Sequence, residues 1–342
     1  MRRGWVVAGL AAAALVAPAT AFAHGRGPVV AVSDQARITR IRPVDPPFSA
    51  RVIDGDQGLW LRLASRRELI VLGVAGEPLL RFDGAGVYVN RYSPTAQIDQ
   101  IARTAITPRF DPKTPPSWKK LSSGRSYRWH DHRLHALAPL GGSGPARMLG
   151  SWTIRLRLDG KPAAVTGELR YVPPPRLLLW LAIPICVFVG SLATIRARRH
   201  RLVEHTITIL TVTTAVALVV ARAGREFYGR PQPAVVGHVS FAIGVALALF
   251  VLDRLVFRPT DMRWFIALVV GAAGFAEGLS LVPMLYHGLV LAAVPASLER
   301  TCVALALGCG VATVVLSVFN GLDGVEDTET PKTAPGVLAP PT

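Results

Sequence analysis

The densest chemistry in the chain is the run Tyr127-Arg128-Trp129-His130-Asp131-His132-Arg133-Leu134-His135. Read as a strand, it sends His130 and His132 to one face and Trp129 and Asp131 to the other. Two imidazoles projecting side by side can share a metal ion, and copper and zinc both accept imidazole nitrogen. Two ligands do not complete a site, so a third is required. His24 is a candidate: as the first residue of a processed chain it offers an amine and an imidazole together, a good chelate for Cu(II). The alternative is a strand anchored by Trp129, with Asp131 paired to Arg133 and both histidines on the surface. The residue types leave both readings open.

A second set of polar residues sits in apolar sequence. His238, Glu277, Met284 and His287 fall near the outer ends of successive hydrophobic runs, at similar depth. Ionisable groups there are costly and mark functional positions by default, so His238, Glu277 and His287 are expected to form one cluster. Met284 lies three residues before His287 and would add a soft ligand. The competing expectation is hydrogen bonding between helices at a wet boundary. Glu204 and His205 read as boundary residues at an inner helix end.

The elements that must position these groups follow from composition. The chain has 342 residues, of which 51% are apolar, and a net charge of +16. Its mean hydropathy is +0.37. These values exclude a disordered tail, a collagen-like chain and a disulfide scaffold, and indicate membrane segments. Arg2 and Arg3, an apolar stretch over 4–16 and Ala21-Phe22-Ala23 form a secretory signal pattern over 1–23, so the processed chain is expected to begin at His24. Cys186, Cys302 and Cys309 all lie in apolar runs and are expected to act as small buried hydrophobes.

Residues 24–172 read as an extracytoplasmic all-β domain. Trp152, Ile154, Leu156 and Leu158 alternate with polar residues at the strand period. Further runs are 36–41, 59–64, 68–74, 86–90, 127–133 and 163–172, separated by turn signals such as Asp54-Gly55-Asp56 and Asp159-Gly160. The pattern predicts an antiparallel sandwich with Trp60, Trp129 and Trp152 in its core. A proline run at 173–175 precedes a helical transmembrane domain over 173–319, with about five spans at 177–195, 202–221, 234–252, 264–285 and 301–319. Arg222–Pro233 is read as an outer loop, 288–300 as a short outer segment broken by Pro295 and Glu299-Arg300. The arginines at 196–201 belong in the cytoplasm, which places the 222–233 loop outside and the polar tail at 320–342 inside.

The function classes narrow accordingly. The sequence holds no phosphate-binding loop, dinucleotide fingerprint, nucleophile elbow or H-E-x-x-H pattern, so no enzyme is expected. The basic β domain, with 24 Lys+Arg against 12 Asp+Glu over 24–176, raises nucleic acid as a partner, but its compartment argues against that. The lipid bilayer, a metal ion, and an envelope protein or cell-wall polymer remain as partners.

The run Gly76-Glu77-Pro78-Leu79-Leu80-Arg81-Phe82-Asp83, then Gly86-Val87-Tyr88-Val89-Asn90 and Ser93-Pro94, and later Trp129-His130-Asp131-His132-Arg133, resembles a bacterial membrane-protein family with an extracytoplasmic GEPxxRFD…WHDxR domain. That resemblance implies a signal peptide, a β-rich outer domain and several helices, with no assigned activity. It also implies a structural or recognition role for Trp129, Asp131 and Arg133. His24, the Asp131-His132 pair and the membrane histidines are similar to CopC and CopD copper proteins, a β-sandwich that binds copper through its N-terminal His and a multi-helix membrane partner. This second resemblance implies copper as the bound ion. Asp131 and His132 are adjacent here, where the CopC-type motif has Asp-x-His.

Overall fold

The computed structural model describes residues 29–101, 111, 114–135, 144–196, 200–228, 235–253 and 263–326. The signal pattern, His24 and the tail beyond 326 lie outside the described residues.

The N-terminal part is mostly antiparallel β structure. In chain order the strands are β1 (Ala31–Val32), β2 (Asp34–Arg42), β3 (Phe48–Ile53), β4 (Gly58–Leu63), β5 (Leu69–Leu72), β6 (Pro78–Asp83) and β7 (Gly86–Asn90). A short helix α1 (Pro94–Ile98) follows, then β8 (Trp118–Ser122), β9 (Ser126–Trp129), a 3-10 turn at His132–Leu134, β10 (Arg147–Leu158) and β11 (Lys161–Tyr171). One sheet has the order β2-β11-β10-β5-β6-β7-β8 and a second the order β3-β4-β9. Both contribute to one core that includes Leu59, Leu61, Val71, Leu80, Phe82, Trp129 and Ile154. Trp60, Trp129 and Trp152 are all buried. Alternation along β10 is as regular as its sequence, with Trp152, Ile154, Leu156 and Leu158 buried between exposed neighbours.

The GEPxxRFD-type residues build scaffold. Asp83 Oδ1 accepts from the amides of Ala85 and Gly86, closing the β6–β7 hairpin. The Arg81 guanidinium lies 4.4 Å from the centre of the Tyr88 ring. Glu77 is buried, and its Oε1 accepts from the Ser93 hydroxyl at 2.6 Å and the Thr95 amide at 3.3 Å. Ser93 in turn caps α1 by accepting from the Ala96 amide, with Pro94 in the first turn.

The second part is helical: α2 (Leu177–Arg196), α3 (His200–Glu226), α4 (Val235–Leu252), α5 (Arg263–Leu281), the single turn α6 (Pro283–Tyr286), strand β12 (Leu289–Val290) and α7 (Ala296–Glu326). Four of the described helices are long and apolar enough to cross a membrane: Leu177–Thr194, Arg201–Glu226, Arg263–Leu281 and Ala296–Phe319. The described apolar part of α4, Phe241–Leu252, is shorter. Helix α7 packs against α2, α3 and α5, while α4 packs on α3. Close approach of α5 and α7 depends on missing side chains; a Cβ at Gly310 would lie 2.7 Å from the Phe275 amide nitrogen.

Three boundaries differ from the sequence expectation. The fifth run starts at Ala296, not 301, so Glu299 and Arg300 lie in the first helical turns instead of breaking the chain; Pro295 fits directly ahead of a helix start. Helix α3 continues to Glu226, which puts Arg222 and Arg225 on a helix where an outer loop was expected. The 264–285 run ends at Leu281, with Pro283 opening a separate turn. Among the cysteines, Cys302 and Cys309 are buried but Cys186 is exposed on the protein surface.

Candidate metal centre

The run 127–135 does not remain a strand. β9 stops at Trp129, and Asp131 begins a 3-10 turn by accepting from the Arg133 amide at 3.1 Å. Asp131 is fully buried, and its carboxylate also takes Trp129 Nε1 at 2.9 Å, Arg133 Nε at 2.8 Å and Arg133 Nη2 at 2.7 Å. Arg133 Nη1 donates to the Leu72 carbonyl at 2.8 Å. Burial alone would raise the Asp131 carboxyl, but the hydrogen bonds from Arg133 and Trp129 outweigh it and hold the group below its usual range. The expected roles of Trp129, Asp131 and Arg133 thus take one physical form: a buried knot that fixes the turn.

That turn gathers three imidazoles. Ring centres are 4.6 Å apart for His130 and His132, 4.8 Å for His130 and His135, and 6.0 Å for His132 and His135. Tetrahedral imidazole ligation at metal–nitrogen distances of about 2.0–2.1 Å puts ring centres roughly 5 Å apart, and the three separations bracket that spacing. His130 and His132 come together through the turn, not through strand alternation. His135 is the partner that alternation misses.

Each ring is held by its Nδ1. His132 Nδ1 is 2.5 Å from Asp99 Oδ1, His135 Nδ1 is 2.7 Å from Asp56 Oδ2, and His130 Nδ1 is 2.6 Å from the Gln57 carbonyl oxygen. A carbonyl only accepts, so the His130 proton belongs on Nδ1, and the two carboxylates favour the same tautomer in the other rings. In the neutral form of each ring Nε2 is then the lone-pair donor, the arrangement that outer carboxylates and carbonyls impose on metal-ligating histidines. Among the described residues His135 Nε2 is buried and has no hydrogen-bond partner. An orphaned buried nitrogen is costly, and a metal ion would satisfy it. Burial first, then the neighbouring imidazoles, lower the His130 pKa despite the opposing Gln57 carbonyl, and so favour the neutral ring. Asp99 is buried and raised, by burial and then by Asp131, against the hydrogen bonds with His132.

The donors are not preset around one point. Among the described residues no group of three or more His, Cys, Asp or Glu is placed so that, as it stands, it could hold a metal ion. The ring planes of His130 and His132 cross at 84°; for three Nε2 atoms to meet on one ion the side chains must rotate from this arrangement. The half-exposed His132 ring, with 48% of its side chain accessible, has room for that movement.

The second expected cluster is not assembled. His238 Nδ1 lies 2.7 Å from Glu226 Oε1. Glu277 pairs with Arg225 at 2.9 Å. His287 Nδ1 lies 2.9 Å from the Ser33 hydroxyl. Met284 is fully buried, and its carbonyl oxygen accepts from Arg300. The extension of α3 explains this: Arg225 and Glu226 become helix-borne partners for Glu277 and His238, so the membrane residues have no need of one another. The chain matches no family model, no curated protein and no solved structure.

Proposed function

We propose that this chain is a multi-pass plasma-membrane protein whose β domain, held outside the cytoplasm, binds a divalent transition-metal ion through His130, His132 and His135. The observation that carries the reading is the buried Nε2 of His135, without a hydrogen-bond partner among the described residues, beside two imidazoles whose Nδ1 atoms, like its own, are held by protein acceptors. All three protein donors are imidazole nitrogens, with no thiolate or thioether among them, which suits Cu(II) or Zn(II) over Cu(I); nitrogen sites bind Cu(II) the more tightly of the two. The resemblance to copper proteins points the same way, so copper is the ion of choice. When bound, the ion would supply a positive centre, to which a fourth ligand could add. Asp99, Asp56 and the Gln57 carbonyl orient the rings, and the Asp131 knot sets their spacing. His24 is a candidate for the fourth position.

The finer architecture belongs to the same proposal: a β-sandwich built from the two sheets, five spans with α4 as the shortest, and a C-terminal tail in the cytoplasm. The reading is of ion binding and not of catalysis. The rival is a sensory or accessory envelope protein that binds a protein or cell-wall polymer without a metal.

The test is metal analysis of the full-length protein purified in detergent and titrated with Cu(II). The expected result is one tightly bound equivalent that disappears in the His130→Ala/His132→Ala/His135→Ala variant. Equal copper retention by both proteins would remove the proposal.

A further inference from the structure

The three-histidine site stands on the joint between the β domain and the membrane helices. β1 pairs with β12 in a two-residue antiparallel ladder, Ala31 opposite Val290 and Val32 opposite Leu289. The Leu291 amide donates to the Val30 carbonyl at 3.0 Å. The Ser33 hydroxyl meets His287 Nδ1, and a Cβ at Gly288 would lie 2.1 Å from the Val172 carbonyl oxygen. Arg300, from the first turns of α7, holds this outer loop by donating to the carbonyls of Met284, His287 and Gly288 at 2.9, 2.9 and 3.0 Å.

The metal site touches the same joint from the other side. Asp56 and Gln57, which hold His135 and His130, belong to a tight turn at 54–57. Asp54 and Gly55 both adopt positive φ, 53° and 79°. A Cβ at Gly55 would lie only 2.3 Å from Val32 Cγ2, and the Ala36 amide donates to the Gly55 carbonyl at 3.1 Å. One turn therefore supports two of the three histidines and rests directly on a residue of the joint. Asp34, the next residue but one after Val32, lies within electrostatic reach of Asp56 and His135 on one side and His287 on the other.

We propose that metal occupancy of the three-histidine site and docking of the β domain on the membrane helices are coupled through the 54–57 turn and Val32. The proposal rests on the metal reading of the preceding subsection. Rotating the rings to bring Nε2 atoms together moves Asp56 and Gln57, and the turn that carries them has no slack above Val32. The β1–β12 ladder is the element with two states. With two residue pairs it is marginal by itself, so a small bias decides whether it is closed. Contiguity alone does not establish coupling, but linkage makes it measurable from both ends: what the metal does to the joint, the joint must do to the metal.

Two variants loosen the joint without touching a metal ligand, His287→Ala and Gly288→Ala, and both are measured in full-length protein in detergent. Copper(II) affinity by competition titration should fall about fivefold or more in each, within the usual range of coupling, with one equivalent still bound. Reciprocally, Cu(II) should slow amide hydrogen exchange at 31–32 and 289–290 in the unmodified protein and leave it unchanged in the three-histidine variant. The coupling is overturned if Cu(II) binds the unmodified protein but leaves joint exchange unaltered. It is equally overturned if both variants open the joint by exchange yet keep copper affinity within about twofold. Absence of Cu(II) binding by the unmodified protein refutes the metal reading itself, a result distinct from these two.

Discussion

Asp99→Asn separates a metal-orienting role from a structural one. Asp99 closes α1, where its amide donates to the Thr95 carbonyl at 2.9 Å, and it is 4% exposed. Its Oδ1 faces both Nδ1 and the backbone amide of His132, at 2.5 and 3.2 Å. Asparagine keeps the shape and an accepting oxygen but removes the charge that makes the imidazole a stronger donor and fixes its tautomer. Loss of such an outer partner costs about 10–100-fold in metal affinity, or roughly 1.4–2.7 kcal/mol. Stability should move the other way or not at all. Burial, then Asp131, raise the folded-state pKa of Asp99 above its unfolded value. The folded state then binds this proton more tightly, so the ionised group is a net cost above the folded pKa, and that cost fades as pH falls through it. The assay is Cu(II) competition titration beside thermal unfolding at neutral pH. Weakened copper binding with an unchanged or raised Tm is the expected pair. Unchanged affinity with a lowered Tm would refute the reasoning and make Asp99 a structural capping residue.

Asp131→Asn should behave in the opposite manner: it leaves the largely buried Arg133 without its charge partner, at a cost of about 3–5 kcal/mol, read as a marked fall in Tm. Because the Asp131 carboxyl is held low by Arg133 and Trp129 against the effect of burial, its contribution is present above the unfolded pKa and lost as pH falls through the folded value; unmodified protein should lose stability in acid more steeply than Asp131→Asn. Gly73→Ala would place a Cβ 2.0 Å from Glu77 Oε1, displacing the carboxylate that supports Ser93 and α1; overpacking of about 1–3 kcal/mol should appear in unfolding together with weaker copper binding, and unaltered behaviour in both would detach α1 from the site. For orientation, Tyr228→Cys should be labelled by an impermeant thiol reagent from outside intact cells and Pro335→Cys only after lysis; labelling of both from outside would contradict five spans with an inner tail.

Helices and strands were legible where one period persists. Apolar runs of about 20 residues gave the helices, and the alternation of Trp152 to Leu158 gave β10, because burial acts on every second residue there. Helix ends were less legible. Arg222, Arg225 and Glu226 read as loop because nothing local pays for charge on a helix, whereas Glu277 and His238 supply partners from 52 and 12 residues away. The site was half legible. His130 and His132 stood out by type, but the local signal that gathers His135 is Asp131 opening a turn, an Asx-type cue that competes with strand pairing. Asp56 and Asp99 were not legible at all, since 79 and 33 residues separate them from the histidines they hold. The local cue for Asp99 is Ser93 ahead of Pro94, which opens the short helix that Asp99 closes.

The central claim is that three imidazoles, His135 among them, close on one ion. Electron paramagnetic resonance of the full-length protein with one equivalent of isotopically pure Cu(II) counts the nitrogen donors directly. The account predicts superhyperfine structure from at least three nitrogens, with one donor lost in His135→Ala. A spectrum that His135→Ala leaves unchanged would contradict it.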